Sequence, residues 1–102
     1  MSARRRRIVL APRASDDLDD ILLYTYQQWG KRQRDVYRRA LFAGLRKLAD
    51  FPGMGKERPD YESDIRSFPI EHHVVIYRFT DTELRVSRIL HERQDIDAAM
   101  AR

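Results

Sequence analysis

The spacing of the last third constrains this chain most: Ile65 to Ile70, His73 to Thr80 and Glu83 to His91 are strand-length runs, separated by Glu71-His72 and Asp81-Thr82. Runs rich in β-branched and aromatic residues, joined by connections this short, turn back on one another as an antiparallel meander. Alternation assigns the faces. Val74, Ile76 and Arg78 share one side of the middle strand, and Val75, Tyr77 and Phe79 the other. In the last strand Leu84, Val86, Arg88 and Leu90 oppose Arg85, Ser87, Ile89 and His91. Both faces are partly apolar and both need cover. One takes helices; the other takes a partner or a short C-terminal helix over Asp95 to Ala101.

The helices come from upstream. Arg7-Ile8-Val9-Leu10 reads as a first strand closed by Ala11-Pro12, with the arginines from Arg4 onward at its solvent end. Asp16, Asp17, Asp19 and Asp20 crowd the expected first turn of a helix capped by Ser15, where carboxylates favour the positive end of the dipole. They read as helix-starting residues and not as a metal cluster. Leu18, Ile21, Leu22, Thr25 and Trp29 recur at helical spacing until Gly30 stops the run, and Trp29 is expected in the core at that corner. A second helix is expected from about Arg32 to Asp50. Val36, Tyr37, Ala40, Leu41, Gly44, Leu45 and Leu48 face inward, and Arg34, Arg38, Arg39, Phe42 and Arg46 mostly outward. The short link at Gly30 makes the pair an antiparallel hairpin, in which Gly44 permits close approach. Residues 51–60 are the one long loop. The order is β-α-α-β-β-β with an optional last helix. It describes an α+β domain over residues 1–102, with a helical hairpin on a mostly antiparallel four-stranded sheet.

Several chemistries lack their residues. With no cysteine and three scattered histidines there is no disulfide framework, thiolate nucleophile or zinc spacing, so neither metal nor cofactor is expected. Gly53-Met54-Gly55-Lys56 lacks the spacing of a phosphate-binding loop. Ser67, Ser87 and His91 lie on strands without a nucleophile elbow. Only Ile8-Val9-Leu10-Ala11 follows the arginine run before Pro12, so export and membrane insertion are not expected and the cytoplasm is. The net charge of +4 is unevenly spread: five arginines before residue 16, four aspartates from 16 to 30, then seven bases against two acids from 31 to 50. Such a surface steers toward an acidic protein segment or a phosphate backbone.

The runs Ile65-Arg66-Ser67-Phe68, His73-Val74-Val75-Ile76-Tyr77-Arg78 and Arg88-Ile89-Leu90-His91-Glu92-Arg93-Gln94-Asp95, preceded by a helical pair with Trp29-Gly30 at its corner, resemble the ParE branch of the ParE/RelE toxin superfamily. The resemblance spans roughly residues 7–97. It implies the toxin of a type II toxin-antitoxin pair that binds DNA gyrase and traps its cleaved-DNA state, without catalysis or cofactor. It also implies a hetero-oligomer with a ParD-like antitoxin, and no sequence-specific nucleic-acid binding by the toxin alone. The C-terminal end of the sheet, with Arg66, Arg78, Arg88, His91 and Arg93, then belongs to the target-binding surface. The antitoxin's C-terminal segment would fold onto the second helix, with acids facing Arg34, Arg38, Arg39 or Arg46 and apolar anchors meeting Phe42.

Two other functions share these residues. RelE-type relatives cut messenger RNA on the ribosome; here Arg66, Arg88 and Arg93 would hold phosphate while His91 or Glu92 moved the proton. The chain departs from that pattern, with no aromatic after Asp95 and only Lys56 and Arg58 in the loop before the sheet. The other is a toxin-derived binding module without activity of its own. Against all three stands a purely structural role, in which Arg66, Arg78 and Arg88 pair with Asp64, Glu71, Glu83, Glu92 or Asp95.

Overall fold

In the computed structural model, which describes residues 5–101, five strands form one mixed sheet. They are β1 Arg7–Leu10, β2 Lys56–Glu57, β3 Arg66–Ile70, β4 His73–Phe79 and β5 Glu83–His91. Their spatial order is β1-β5-β4-β3-β2. The meander is antiparallel as its spacing requires, and the Glu71-His72 turn holds Glu71 in the left-handed region at φ 56°. β1 joins parallel to β5, from Arg7 opposite Glu83 to Leu10 opposite Val86. The chain makes the crossover that a parallel pair needs through helix α1, Pro12–Asp50.

α1 is broken at Gly30 (φ 89°, ψ 178°), a conformation open to glycine and strained for other residues. Its arms, 12–29 and 31–50, fold back as the expected hairpin, with the Arg34 guanidinium 5.4 Å from the centroid of the Tyr26 ring. The helix starts earlier than its acids suggest. Pro12 stands in the first turn, Ala11 is an N-cap without a side-chain bond, and Ser15 and the aspartates lie inside the helix. Proline's fixed φ starts the helix where the Ala11 N–H makes its last bond to the sheet, at the Val86 carbonyl.

The sheet has five strands where four are expected, because β2 forms within the supposed loop. No pattern marks a two-residue strand; tertiary contacts impose it. The Tyr77 phenol donates to the Pro52 carbonyl at 2.6 Å and accepts the Gly55 N–H at 3.0 Å. That brings Lys56 and Glu57 opposite Ser67 and Arg66.

Ala14, Leu18, Leu41, Leu45 and Leu48 of α1 pack on Ile70, Val75, Tyr77, Leu84, Val86 and Ile89 to make the main core. Simple alternation fails in β5. Ser87 is bulged between Val86 opposite Tyr77 and Arg88 opposite Ile76, so Ile89 joins Leu84 and Val86 under the helices. Leu90 falls on the outer face with Ile65 and Ile76, covered by Tyr61 and by Ile96, Ala99 and Met100. Those last three lie on or beside a short helix α2, Ile96–Met100, where one was expected; Asp95 caps it by accepting the Ala98 N–H at 3.1 Å. Gly44 permits a close approach to the sheet and not to the other arm, since a Cβ there would lie 2.5 Å from Ile70 Cγ2. Two inward assignments are corrected: Trp29 is 65% exposed and Val36 43%. The hairpin corner stands beside the Glu71-His72 turn, and no layer of the described chain covers it.

Candidate functional site

Three surfaces hold the sequence-derived candidates. The first is an open cavity of about 730 Å³ at the hairpin corner, lined by Trp29, Tyr24 and Tyr37 from both arms, by Glu71, His72 and His73 from the turn, and by His91 from the end of β5. At its floor the Tyr37 hydroxyl lies 2.6 Å from His73 Nδ1 and accepts the His72 N–H at 3.2 Å. The phenol and His73 Nδ1 thus share a hydrogen bond whose donor is set by the imidazole tautomer. Burial, reinforced by His91 and His72, lowers the His73 pKa to about 4. The same burial raises that of Tyr37. The His91 ring packs edge-on to His73 at 5.3 Å between centroids.

A pH dependence follows from His73. Its pKa is about 6.5 unfolded and about 4 folded, so its stabilising contribution is complete above 6.5 and is lost as pH falls through that interval. Between pH 7 and 5 the loss is about 2 kcal/mol. Urea unfolding at the two pH values measures it, and His73→Gln should flatten the difference.

The expected target-binding arginines do not converge. β4 pairing puts His91 beside His73 at the turn end, with Arg66 opposite Tyr77 and Arg78 opposite Arg85 in the far half. Arg66 donates to the Gly55 carbonyl at 2.9 Å, bracing the loop, with Glu57 at 4.0 Å. Arg78 reaches Glu62 at 2.9 Å and Asp64 at 3.7 Å, the latter among the acids named for a purely structural role.

Arg88 is the most committed. Its Nε and Nη2 donate to the two oxygens of Asp17 at 2.8 and 3.0 Å, and Asp17 Oδ2 also accepts the Ile89 N–H at 2.9 Å. The two side chains are 14% and 15% exposed. β1 pairs with β5 only as far as Val86, and the Asp17 carboxylate occupies the open edge beyond. Sequence reasoning named no such partner, because 71 residues separate the pair. Among these candidates only His91 and Arg93 meet, with the Arg93 N–H donating to His91 Nδ1 at 3.0 Å. The set that RNA cleavage would need, Arg66, Arg88, His91 and Arg93, is not gathered at one place.

The third surface is the outer side of the hairpin. Arg39 is exposed, Arg38 lies over the Phe42 ring at 5.5 Å, and Arg34 stacks on Tyr26 and bonds Asp35. Arg46 is turned toward the chain, donating to the Arg6 carbonyl at 2.6 Å. Phe42 packs against the core and is half-buried, not outward. The exposed apolar anchors are Leu23 and Tyr26. With Asp19, Leu22, Arg34, Asp35 and Arg38 they line a groove of about 440 Å³ between the arms. A signal for them existed: Ile21-Leu22-Leu23-Tyr24-Thr25-Tyr26 is too long an apolar run for one helical stripe, so part of it must face out. The N-terminal arginines are fasteners: Arg5 binds Asp50, Arg6 the Thr80 carbonyl and Arg7 Glu83, while Arg4 lies outside the described residues.

Among the described residues no group of three or more His, Asp or Glu is arranged to hold a metal ion, and no helix is long and apolar enough to cross a membrane.

Comparison with known proteins gives a consistent result. The model of the family described as "ParE toxin of type II toxin-antitoxin system, parDE" matches residues 8–96. Toxin ParE1 of Caulobacter vibrioides is 36% identical over 89 residues, covering 87% of this chain and 92% of the relative. Toxin ParE of Escherichia coli is 34% identical over 95 residues, 91% of each. Toxin ParE1 of Mycobacterium tuberculosis is 32% identical over 92 residues, covering 89% and 94%. Among solved structures, a chain from the chromosomal ParDE TA system of P. aeruginosa superposes with a TM-score of 0.70 at 18% identity, covering 85% of this chain and 96% of that one. At that identity the likeness speaks for the fold.

Proposed function

This chain belongs to the ParE family of toxins of type II toxin-antitoxin systems, and from that premise we propose that it inhibits DNA gyrase and is held inactive by a ParD-like antitoxin. It acts in the cytoplasm without cofactor or catalysis, as a binder that traps gyrase on cleaved DNA. The exposed groove between the helical arms carries the antitoxin part of this reading. Leu23 and Tyr26 offer apolar anchors there, with Arg34 and Arg38 along one wall and Arg39 nearby on the same arm. An amphipathic segment laid into a groove is the recognition mode such a surface suits, and a disordered acidic segment that folds on contact supplies the complementary charge. Phe42, under the Arg38 guanidinium, would support that wall, while Arg46 holds the Arg6 carbonyl farther along the same arm.

For the target surface, His91 and Arg93 are the exposed contacts, while Arg66, Arg78 and Arg88 shape the sheet behind them. A binder and not a nuclease is favoured by the scatter of the phosphate-holding side chains, since RNA cleavage needs cation, base and acid within reach of one phosphate.

Reversing the charge on the second arm tests the groove. Arg38→Glu with Arg39→Glu should slow association with a cognate ParD-like antitoxin at least about tenfold at low salt, with the difference shrinking as salt rises. An association rate unchanged at low salt, measured by stopped flow, would remove the antitoxin from this face.

A further inference from the structure

The cavity at the hairpin corner is acidic and aromatic in a chain whose net charge is +4. Trp29 meets Tyr24 edge-on, with centroids 6.1 Å apart and planes at 77°, so the two exposed rings stand as a right-angled corner. Asp20 lies one helical turn before Tyr24, and Glu71 comes from the β3–β4 turn, so two elements each bring a carboxylate to the lining. Neither carboxylate has an ion-pair partner among the described residues, and no lysine or arginine lines the cavity. At the floor, His73 is hydrogen-bonded through Nδ1 to Tyr37, and burial keeps its imidazole uncharged near neutral pH.

The aromatic faces and the two carboxylates favour a positive guest. An indole or phenol face carries the negative lobe of its quadrupole and attracts an ammonium or guanidinium within about 6 Å. Carboxylates on the same wall strengthen the field, and low-dielectric aromatic walls focus it. Arginine suits the corner best, since its planar guanidinium stacks on one ring while its N–H groups reach carboxylates to the side. We propose that this cavity is a receptor for a cationic side chain, arginine or lysine, presented by a protein partner. It is distinct from the groove between the arms, which carries Arg34 and Arg38 where this cavity has no lysine or arginine, and it does not depend on gyrase being the target.

Trp29 is the sole tryptophan, so its emission reports occupancy directly in the full chain. The probes are Ac-Gly-Arg-Gly-amide and its citrulline counterpart, which has nearly the same shape without the charge, both at fixed ionic strength. The arginine peptide should shift Trp29 emission saturably in the millimolar range, and the citrulline peptide should need at least about tenfold more. Asp20→Asn with Glu71→Gln, both at surface positions, should weaken the arginine peptide at least about fivefold and leave the citrulline peptide unchanged. Equal response to the two peptides, an arginine response indifferent to the double substitution, or no saturable response to arginine up to about 50 mM would each overturn the assignment.

Discussion

Asp17→Ala should destabilise the protein by about 3 kcal/mol, the lower end of the range for removing one partner from a buried ion pair. The substitution leaves the Arg88 guanidinium at a site where 14% of its side chain is exposed, and it removes the acceptor of the Ile89 N–H at the open edge of β5. Asp17→Asn should cost less, because an amide oxygen still receives that N–H. The loss is a large share of the 5–15 kcal/mol that holds a small domain together, so cellular levels of the protein should fall with it. Denaturant unfolding measures the change. The comparison also settles what Arg88 does: as a fastener, Arg88→Ala and Asp17→Ala should destabilise alike and lower toxicity alike. As a target contact, Arg88→Ala would abolish toxicity in a protein of unchanged stability.

Gly55→Ala should cost about 3 kcal/mol through overpacking. A Cβ on Gly55 would stand 2.2 Å from the Tyr77 hydroxyl and 2.8 Å from two ring carbons, and Tyr77 is fully buried with no room to slide. Any shift of the phenol also loosens its bonds to Gly55 and Pro52, and with them the pairing of β2. Tyr77→Phe alone should cost about 2 kcal/mol, because the Gly55 N–H loses its acceptor and the Pro52 carbonyl its donor. Combined, the two should be less than additive, since removing the hydroxyl also removes the worst clash. Thermal or urea unfolding of the four proteins completes the cycle; strict additivity would mean that the clash lies elsewhere.

Much of this architecture was legible in the residues. Two short turns dictated the meander, and Gly30 between two periodic stretches dictated the hairpin. What failed was whatever depended on contacts between distant segments. β2 exists because Tyr77 reaches back to Pro52 and Gly55, and the face of Ile89 depends on a bulge at Ser87 that strict alternation misplaces. Trp29 reads as core from its helical spacing and its place beside Gly30, but a corner that stands free of the sheet leaves it nothing to pack under. The site was legible in composition more than in geometry. The arginines named from the last strands are present, but Arg88 answers to Asp17 on a helix far earlier in the chain, and no spacing within the strands could announce that. The aromatic and acidic lining of the corner cavity likewise combines residues 20–37 with 71–91, which only the folded chain brings together.

Purified DNA gyrase acting on relaxed plasmid, with ATP and increasing amounts of this protein, tests the central claim most directly. Supercoiling should stop and cleaved plasmid should accumulate, and both effects should vanish when a cognate ParD-like antitoxin is added first. Supercoiling at an undiminished rate at all toxin concentrations would contradict the account, and cleavage of messenger RNA on ribosomes by the same preparation would move the activity to the nuclease branch of the superfamily.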